Sequence, residues 1–246
     1  MSTPSVRLLP FAVADGPTNM AADEVMLFSA ERGVASLRLY GWSPPTLSLG
    51  YFQPAAARLA DPLLAALPWV RRPSGGATLV HDRELTYALA LPAGSPWQGG
   101  EPWMSRMHAV LARAVAACGV AAAVSPHAGP SRVLGDVLCF QQHTAGDLLA
   151  DGHKVVGSAQ RKHRRCLLQH GSVLLERTPS AAALPGLADV TGVAVTAGQL
   201  AGAIEASFRA ATGWCLEAGA WTGAERRETA SLVRDKYATA AWNEKR

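Results

Sequence analysis

The chain has 246 residues, of which 49% are hydrophobic and 17% charged, and its formal net charge is +4. These values predict a globular protein with a sizeable core and exclude a disordered chain, and no run is apolar enough to predict a membrane-spanning helix. The positive charge favours acidic partners, whereas no aromatic and basic motif indicates nucleic-acid binding.

Helix and strand patterns follow one another irregularly along the chain. Residues 16–33 predict a helix that Thr18 or Asn19 would cap, and residues 101–119 predict an amphipathic helix. Strands are predicted for SLRLYGW, TLSLGYF, residues 69–92 around a glycine turn, GDLLA, HKVVGSA and RCLLQHGSVLL. The last sixty residues predict helices again. This order indicates an α+β fold with mixed or antiparallel sheets flanked by helices, in a single domain across residues 1–246.

The four cysteines are too few and too widely spaced for a disulfide framework. None of them forms a CxxC pair, so neither a redox motif nor a metal site is predicted. We expect reduced thiols in a cytoplasmic protein, most of them buried as small apolar side chains.

A pair of arginines, Arg71 and Arg72, precedes the turn formed by Ser74, Gly75 and Gly76. Paired glycines let backbone N–H groups approach a ligand closely, and arginines can hold a phosphate or a carboxylate. A hairpin turn with two solvated arginines explains the same residues equally well.

Two side chains in residues 137–175 could form a thiol–amine pair. Lys154 follows an Asp-Gly turn, the strongest short hairpin signal, and is either a solvated edge charge or an ammonium beside an acyl carbonyl. Cys139 is either a core thiol or a nucleophile. Cys166 follows RKHRR, which is typical of a basic hairpin end, and His81 and His170 fit core positions. The residues alone do not decide among these interpretations.

Six segments in unbroken order resemble the biotin/lipoate protein ligase superfamily, whose lipoate–protein ligase A-like catalytic-domain fold is therefore implied. They are NMAADEVML (19–27), LRLYGWSPPTLSLGYFQ (37–53), RRPSGGATLVHD (71–82), GHKVVGSAQRK (152–162), LLQHGSVLL (167–175) and RDKYATAAWN (234–243).

Within that superfamily the chain is most similar to the cysteine-dependent octanoyltransferases. Their Cys-Phe pair lies fifteen residues before a lysine, as Cys139 does before Lys154. The motifs GSAQ and LQHGS are also more similar to the sequences of the transferases than to those of the ligases. The resemblance implies that Cys139 is a nucleophile, and it implies no C-terminal accessory domain.

The implied activity is a ping-pong acyl transfer in lipoate biosynthesis. Acyl carrier protein would donate an octanoyl or lipoyl group to Cys139, with Lys154 assisting, and a lysine of a lipoyl-domain protein would accept it. That acceptor would be glycine cleavage H protein or a 2-oxoacid dehydrogenase E2. No cofactor or metal is required, and a cytoplasmic monomer is expected. The implied substrate-binding residues are Arg71, Arg72, Ser74, Gly75, Gly76, His81, Gly157, Ser158 and Ala159.

Departures from the transferase pattern keep other activities open. Ala77 and Thr78 follow the glycines where many relatives carry Gly or Arg followed by Ala, and Asp147 lies where ligases often place an aspartate near ATP. The alternatives are an ATP- and Mg²⁺-dependent lipoate–protein ligase that uses Lys154, an amidotransferase between two lipoyl-domain proteins, and an inactive relative that only binds lipoyl domains. The physiological donor, the acyl chain length and the particular acceptor also stay open.

Overall fold

The computed structural model describes residues 4–59, 61–94, 102–126, 138–141 and 143–246, without the side chain of Cys139. The strands in this part of the chain are β1 (Ser5–Leu8), β2 (Ala12–Ala14), β3 (Ser36–Trp42), β4 (Thr46–Leu49), β5 (Trp69–Arg71), β6 (Leu79–His81), β7 (Glu84–Leu91), β8 (Ala123–Val124), β9 (Leu148–Ala150), β10 (His153–His163), β11 (Cys166–Leu174) and β12 (Cys215–Ala218). The α-helices are α1 (Gly16–Glu31), α2 (Pro62–Ala65), α3 (Trp103–Ala117), α4 (Leu187–Thr191), α5 (Ala197–Thr212), α6 (Gly223–Leu232) and α7 (Ala240–Asn243).

The described strands form one large and one small sheet, each mixing parallel and antiparallel pairs. The large sheet has the order β12-β1-β3-β7-β11-β10-β9-β8, with β2 also paired to β3, and the small sheet has the order β5-β4-β6. Strands β12, β1 and β3 run parallel, whereas β3, β7, β11 and β10 are antiparallel neighbours. The predicted α+β class with mixed sheets and flanking helices is confirmed.

The large sheet is covered on both faces, and β7 shows why its sequence suits that position. Leu85, Tyr87 and Leu89 pack into the core formed with α3 and α5. Ala88 and Ala90 alternate with them and face α1 on the other side of the sheet. Because side chains alternate along a strand, these two small residues allow α1 to approach the sheet closely.

The first helix begins at Gly16, as its predicted bounds required, but its cap is a different residue. Asp15 is the N-cap, since its carboxylate accepts the Thr18 N–H at 2.9 Å, and Pro17 occupies the first turn without needing a partner for an N–H. Asn19 is instead buried and donates to Gly41 O at 3.1 Å. The prediction of a Thr18 or Asn19 cap was therefore wrong.

Two hairpins confirm the turn predictions around β10. Asp151 and Gly152, with φ of 46° and 75°, join β9 to β10. Arg164 and Arg165, both exposed and both at positive φ, join β10 to β11, as expected for a basic hairpin end. None of the described helices combines the length and the apolar character needed to cross a membrane.

A buried carboxylate ties α6 to β1, and its protonation should weaken the fold. Burial raises the pKa of Glu225, but hydrogen bonds from Arg7, Thr222 and Ser29 outweigh burial and lower the pKa from 4.5 to about 2. A depressed pKa contributes stability above the unfolded value that is lost as the pH falls towards 2.

We therefore expect Glu225→Gln to be less stable than the wild type at pH 7 by up to about 3 kcal/mol, the free energy of that pKa change. The difference should shrink between about pH 5 and pH 2, because the wild-type carboxylate then becomes protonated. Urea unfolding of both proteins across this range measures it. A difference that does not vary with pH would show that the charge is irrelevant.

Candidate functional site

Lys154 is buried rather than solvated. Its residue is 8% exposed, and its ammonium Nζ lies 2.8 Å from Asp147 Oδ2. The Asp-Gly turn places Lys154 at the start of β10, and the register with β9 is irregular between Lys154 and Val156. Lys154 is thus an internal charge with a fixed partner, and the interpretation as a solvated charge at a sheet edge is wrong.

The segment just before β9 fixes the carboxylate of that pair. Asp147 Oδ2 also accepts the Thr144 N–H at 2.7 Å and the Thr144 hydroxyl at 3.1 Å. Gly146 adopts a φ of +98°, which favours glycine, and its carbonyl accepts a hydrogen bond from His108 of α3. The carboxylate is therefore held before any ligand binds.

Space for the Lys154 side chain depends on Gly157. A Cβ atom at position 157 would lie 2.7 Å from Lys154 Cε and 3.2 Å from Phe140 Cζ. The Lys154 ammonium also lies 5.0 Å from the centre of the Phe140 ring, a cation–π distance. The Lys154 side chain and the Phe140 ring therefore both pack against Gly157 of β10.

The backbone of Cys139 belongs to a short 3₁₀ turn, Cys139–Gln141, that contacts β10. Leu138, on its other side, forms an isolated parallel bridge with Thr78. Cys139 therefore directly precedes the aromatic residue that contacts Lys154. Its thiol lies outside the described residues, so its pairing with Lys154 stays a prediction.

A mostly apolar cavity lies next to this junction, with an empty volume of about 440 Å³ that includes space open to solvent. Its apolar wall includes Met20, Tyr40, Trp42, Leu79 and Phe140. Of the residues implied by the resemblance, Arg72, Gly76, His81, Gly157, Ser158 and Ala159 line it.

The two arginines of the glycine turn are buried and bonded to the protein. Arg71 donates to the carbonyls of Asn243, at 2.8 and 2.9 Å, and of Gly50, at 3.0 Å. Arg72 donates to the Ala77 carbonyl at 2.8 Å and to Ser48. The interpretation as solvated arginines is therefore wrong, since both side chains hold the loop in shape.

His81 links the cavity wall to a buried carboxylate. Its Nδ1 lies 2.7 Å from Glu84 Oε1, and its Nε2 lies 2.6 Å from Ser48 Oγ. Burial lowers the pKa of His81, although Glu84 opposes this effect, so the neutral ring is favoured. Trp42 stacks on the ring at 3.8 Å between centroids. His81 is thus a fixed part of the wall, and any contact with substrate stays a prediction.

A second buried network was not found from the sequence. His170 Nδ1 lies 2.8 Å from Asp23 Oδ2, and its Nε2 lies 2.5 Å from Ser74 Oγ. Asp23 also accepts from Arg38 at 3.1 Å and from the Tyr40 hydroxyl at 2.8 Å. Ser74 therefore holds the glycine turn to β11 and α1. The apolar spacing around His170 indicated a core residue, which is confirmed, but not its partners.

Ser158 lines the cavity, but its hydroxyl is bonded to other residues of the protein, so its implied role in substrate binding stays a prediction. The hydroxyl bonds to the Tyr87 hydroxyl at 2.6 Å and to His108 Nε2 at 2.7 Å. Tyr87 belongs to the core on the α3 side of the sheet. Because side chains alternate along β10, Gly157 and Ala159 face the opposite side, where α1 and the cavity lie. His108, which was also missed from the sequence, bonds to β10 on the face of the sheet that α3 covers.

The other cysteines occupy varied positions. Cys166 is buried in the core against α1, Cys118 is half-buried and Cys215 is exposed. Burial raises the pKa of the Cys118 thiol, which makes it less reactive. Among the described residues, no three His, Cys, Asp or Glu side chains are grouped as metal ligands.

Comparison with known proteins identifies the class to which this fold and site belong. The family profile "Lipoyl protein ligase A/B catalytic domain" matches residues 15–184. The chain belongs to this family, which confirms the resemblance seen in the sequence.

Curated relatives give a narrower likeness. The chain is 35% identical to octanoyltransferase LipM of Kyrpidia tusciae, with 96% of this chain and 97% of that protein covered. It is 34% identical to octanoyltransferase LipM of Symbiobacterium thermophilum, with 96% and 97% covered.

Solved structures agree on the fold. Protein Ta0514 of T. acidophilum, described as a lipoate protein ligase, has a TM-score of 0.79 at 21% identity, with 98% of this chain and 100% of that chain covered. A structure of the bipartite lipoate protein ligase of Thermoplasma acidophilum and its E2 lipoyl domain has a TM-score of 0.74 at 19% identity, with 98% and 96% covered. At these identities the likeness concerns the fold alone.

The buried ion pair makes a testable prediction. Removal of one partner leaves a buried charge uncompensated, so Lys154→Met and Asp147→Asn should each destabilise the protein by about 3–5 kcal/mol. The double variant should lose at least about 1 kcal/mol less than the two single losses combined, because it leaves neither charge unpaired. Urea unfolding of the four proteins measures this coupling.

The pair formed by Arg83 and Glu176 provides a matched control. Its side chains lie 3.4 Å apart, and about half of each is exposed to solvent. The same cycle there should give a coupling below about 1 kcal/mol. Equal couplings for the two pairs would contradict the idea that burial makes the Lys154 pair different.

Proposed function

We propose that this chain is an octanoyltransferase of lipoate biosynthesis. It moves an octanoyl group from acyl carrier protein, through a thioester on Cys139, to a lysine of a lipoyl-domain protein. The supporting observation is the buried Lys154 ammonium, which lies beside two residues of the cavity wall, Phe140 and Gly157. Phe140 directly follows the proposed nucleophile.

Substrate binding would use the apolar cavity. Each methylene of an acyl chain buried there contributes about 0.8 kcal/mol, so Met20, Trp42 and Leu79 favour a saturated chain. With its tail inside, the thioester carbonyl would lie near Phe140 and Gly157, within reach of Lys154.

In the first half-reaction the Cys139 thiolate attacks the thioester carbonyl carbon. The new C–S bond forms and gives a tetrahedral oxyanion, whose collapse breaks the bond to the carrier's pantetheine sulfur. The departing thiolate takes up the proton that the Cys139 thiol released. The Lys154 ammonium favours the Cys139 thiolate and stabilises the oxyanion of the tetrahedral intermediate. A donor held in place in this way is typically worth about 3 kcal/mol, and the Asp147 contact fixes the ammonium there.

In the second half-reaction the lysine amine of the lipoyl domain attacks the acyl-enzyme. The amide C–N bond forms, the C–S bond to Cys139 breaks, and the proton lost by the amine returns the cysteine to a thiol. One thioester first replaces another, and a more stable amide then replaces the thioester. Neither step needs ATP or a metal ion.

The ATP-dependent ligase is the second candidate. It would use Lys154 to hold an acyl-adenylate, and it would need Asp147 near ATP. The Asp147 carboxylate is instead bonded to Lys154 and Thr144, which favours the transferase. The identities with octanoyltransferases, 34–35% over 96% of the chain, also support transfer.

The proposed reaction runs in the cytoplasm, where thiols stay reduced, on a monomeric enzyme. Lipoyl domains as acceptors are supported by the names of the relatives and by the similar structure described as a bipartite lipoate protein ligase and its E2 lipoyl domain from Thermoplasma acidophilum. Acyl carrier protein as the donor fits the chain's net charge of +4, since a positive field speeds encounter with acidic proteins.

Incubation with octanoyl-acyl carrier protein in the absence of ATP should add the mass of one octanoyl group to the wild type. Cys139→Ala should gain no mass, because it lacks the nucleophile, whereas the exposed Cys215→Ser should behave as the wild type. An apo lipoyl domain should then discharge the adduct. Intact-mass spectrometry follows each step.

Two results would redirect the assignment. Modification of the lipoyl domain by Cys139→Ala with ATP and free octanoate would establish the ligase. Acylation of Cys139 by an octanoylated lipoyl domain, but not by acyl carrier protein, would establish the amidotransferase.

A further inference from the structure

Three basic side chains surround Tyr51, close to the glycine turn. Lys245 Nζ lies 3.6 Å from the Tyr51 ring centre, and the guanidinium carbons of Arg246 and Arg161 lie 5.2 and 5.6 Å from it. Among the described residues, none of these three cations forms an ion pair, whereas the nearby Lys236 is paired with Glu24 at 2.6 Å. We call Tyr51, Arg161, Lys245 and Arg246 the Tyr51 cluster.

The electrostatics of the Tyr51 cluster favour an anion. The charge of Lys245 lowers the pKa of the Tyr51 hydroxyl. Partial burial lowers the pKa of Lys245, and the charges of Arg71 and Lys236 add to this effect, although Tyr51 opposes it. These cations repel one another, and a bound anion would relieve that repulsion.

The Tyr51 cluster adjoins the cavity along two segments. The Tyr51 N–H donates to the Ser74 carbonyl at 2.8 Å, and Gly76 of the same turn lines the cavity. Arg161 lies two residues after Ala159 on β10, and alternation puts both on the face that carries Gly157. The cations therefore lie on the same side of β10 as the cavity and the Lys154 ammonium.

The distance along this face suits a long substrate arm. Arg161 is four residues from Gly157, which corresponds to about 13 Å along the strand. An extended pantetheine arm has roughly thirteen bonds between its sulfur and its phosphorus and spans about 16 Å at the rise per bond of an extended chain. Gly157 and Ala159 have minimal side chains, so a linear arm can lie over them.

The arginines of the glycine turn are poor candidates for this anion. Arg71 is fully buried, and its guanidinium donates to carbonyls of Asn243, Gly50 and Gln53. Arg72 donates to Ser48 and Ala77. The exposed or half-exposed cations of the Tyr51 cluster donate to no carbonyl among the hydrogen bonds of the described residues, and Lys245 and Arg246 bond to the Tyr51 hydroxyl within the cluster itself.

We propose that the Tyr51 cluster binds the phosphate of the donor's phosphopantetheine arm. This inference rests on the proposed function and adds a binding site to it. With the phosphate held by the Tyr51 cluster at one end of this face of β10, the arm would place its thioester beside Phe140, Gly157 and Lys154. Arg161 and Arg246 supply guanidinium donors, while Lys245 and the Tyr51 hydroxyl supply two more.

Three donors that share one thioester separate the sources of negative charge. Octanoyl-pantetheine has no phosphate, octanoyl-4′-phosphopantetheine has the phosphate alone, and octanoyl-acyl carrier protein adds the carboxylates of a protein. For the wild type we expect kcat/KM to be about tenfold or more higher with the phosphate than without it, as for hydrogen bonds between charged groups. The double variant Arg161→Gln, Lys245→Gln should bring that ratio close to one.

A matched control removes two charges elsewhere. Arg164→Gln, Arg165→Gln changes the exposed turn after β10 and should keep the wild-type ratio. Isothermal titration of unacylated 4′-phosphopantetheine, with pantetheine as reference, should show binding by the wild type and the control variant but not by the cluster variant. Thermal unfolding checks that all variants fold.

Each other outcome overturns the assignment. A wild type that does not distinguish the first two donors has no phosphate site. A cluster variant that is impaired only with acyl carrier protein would mean that the cluster contacts carboxylates of the carrier. If the wild type turns over no thioester, the proposed function fails, and binding of 4′-phosphopantetheine in the calorimeter then tells whether the phosphate site fails with it.

Discussion

The ion pair between Lys154 and Asp147 is the interaction around which this site is organised. Two charges almost excluded from solvent cost several kilocalories per mole each to desolvate, and their attraction recovers that cost only when the geometry is good. The 2.8 Å contact and the two hydrogen bonds from Thr144 supply such geometry. An apolar pair of similar volume would often be equally stable, so the charges are better explained by a chemical role than by stability.

Several distant segments serve that one contact. Gly157 leaves room for the lysine stem, and His108 of α3 reaches both the carbonyl of Gly146 and the hydroxyl of Ser158. A Cβ at Gly171 would lie 2.3 Å from Ser158 Oγ, so the glycine of LQHGS makes space for that hydroxyl. The segments that resemble the family thus include positions that shape the backbone near Lys154 as well as residues that could meet substrate.

The sequence predicted the longer strands and the two hairpins around β10 because their signals are local. It missed the strands β1, β2, β8 and β12, and the predicted hairpin at the glycine turn is wrong, because β5 and β6 both pair with β4. The Asp-Gly turn, the alternation along β11 and the amphipathic pattern of α3 each depend on residues a few positions apart. The sequence also pointed to Lys154 as a functional residue, but only through its resemblance to the octanoyltransferases. By itself it favoured a solvated lysine at a strand edge, which is wrong, since burial depends on Asp147 and on a register irregularity of β10 that no local pattern encodes.

The networks missed from the sequence join residues far apart in the chain. Asp23 and His170 are 147 positions apart, and Arg71 and Asn243 are 172 apart. Each of these residues sits in a segment whose apolar pattern gives no sign of its partner. Arg71 and Arg72 show the consequence. Two arginines before a glycine turn are typical of anion binding, yet their N–H groups donate to oxygens of Asn243, Gly50 and Ser48, which the fold brings near.

These networks also determine what the cavity can accept. The Tyr40 hydroxyl donates to Asp23, the Trp42 indole donates to Thr86, and His81 and His170 each bond to a carboxylate and a serine. The polar groups of the wall thus already have partners within the protein. A saturated acyl chain loses no hydrogen bonds on entering such a cavity, whereas a chain with a hydroxyl would give up water and find those groups occupied. Selectivity for an unsubstituted acyl group therefore follows from the hydrogen bonds that the wall residues make with other residues of the protein.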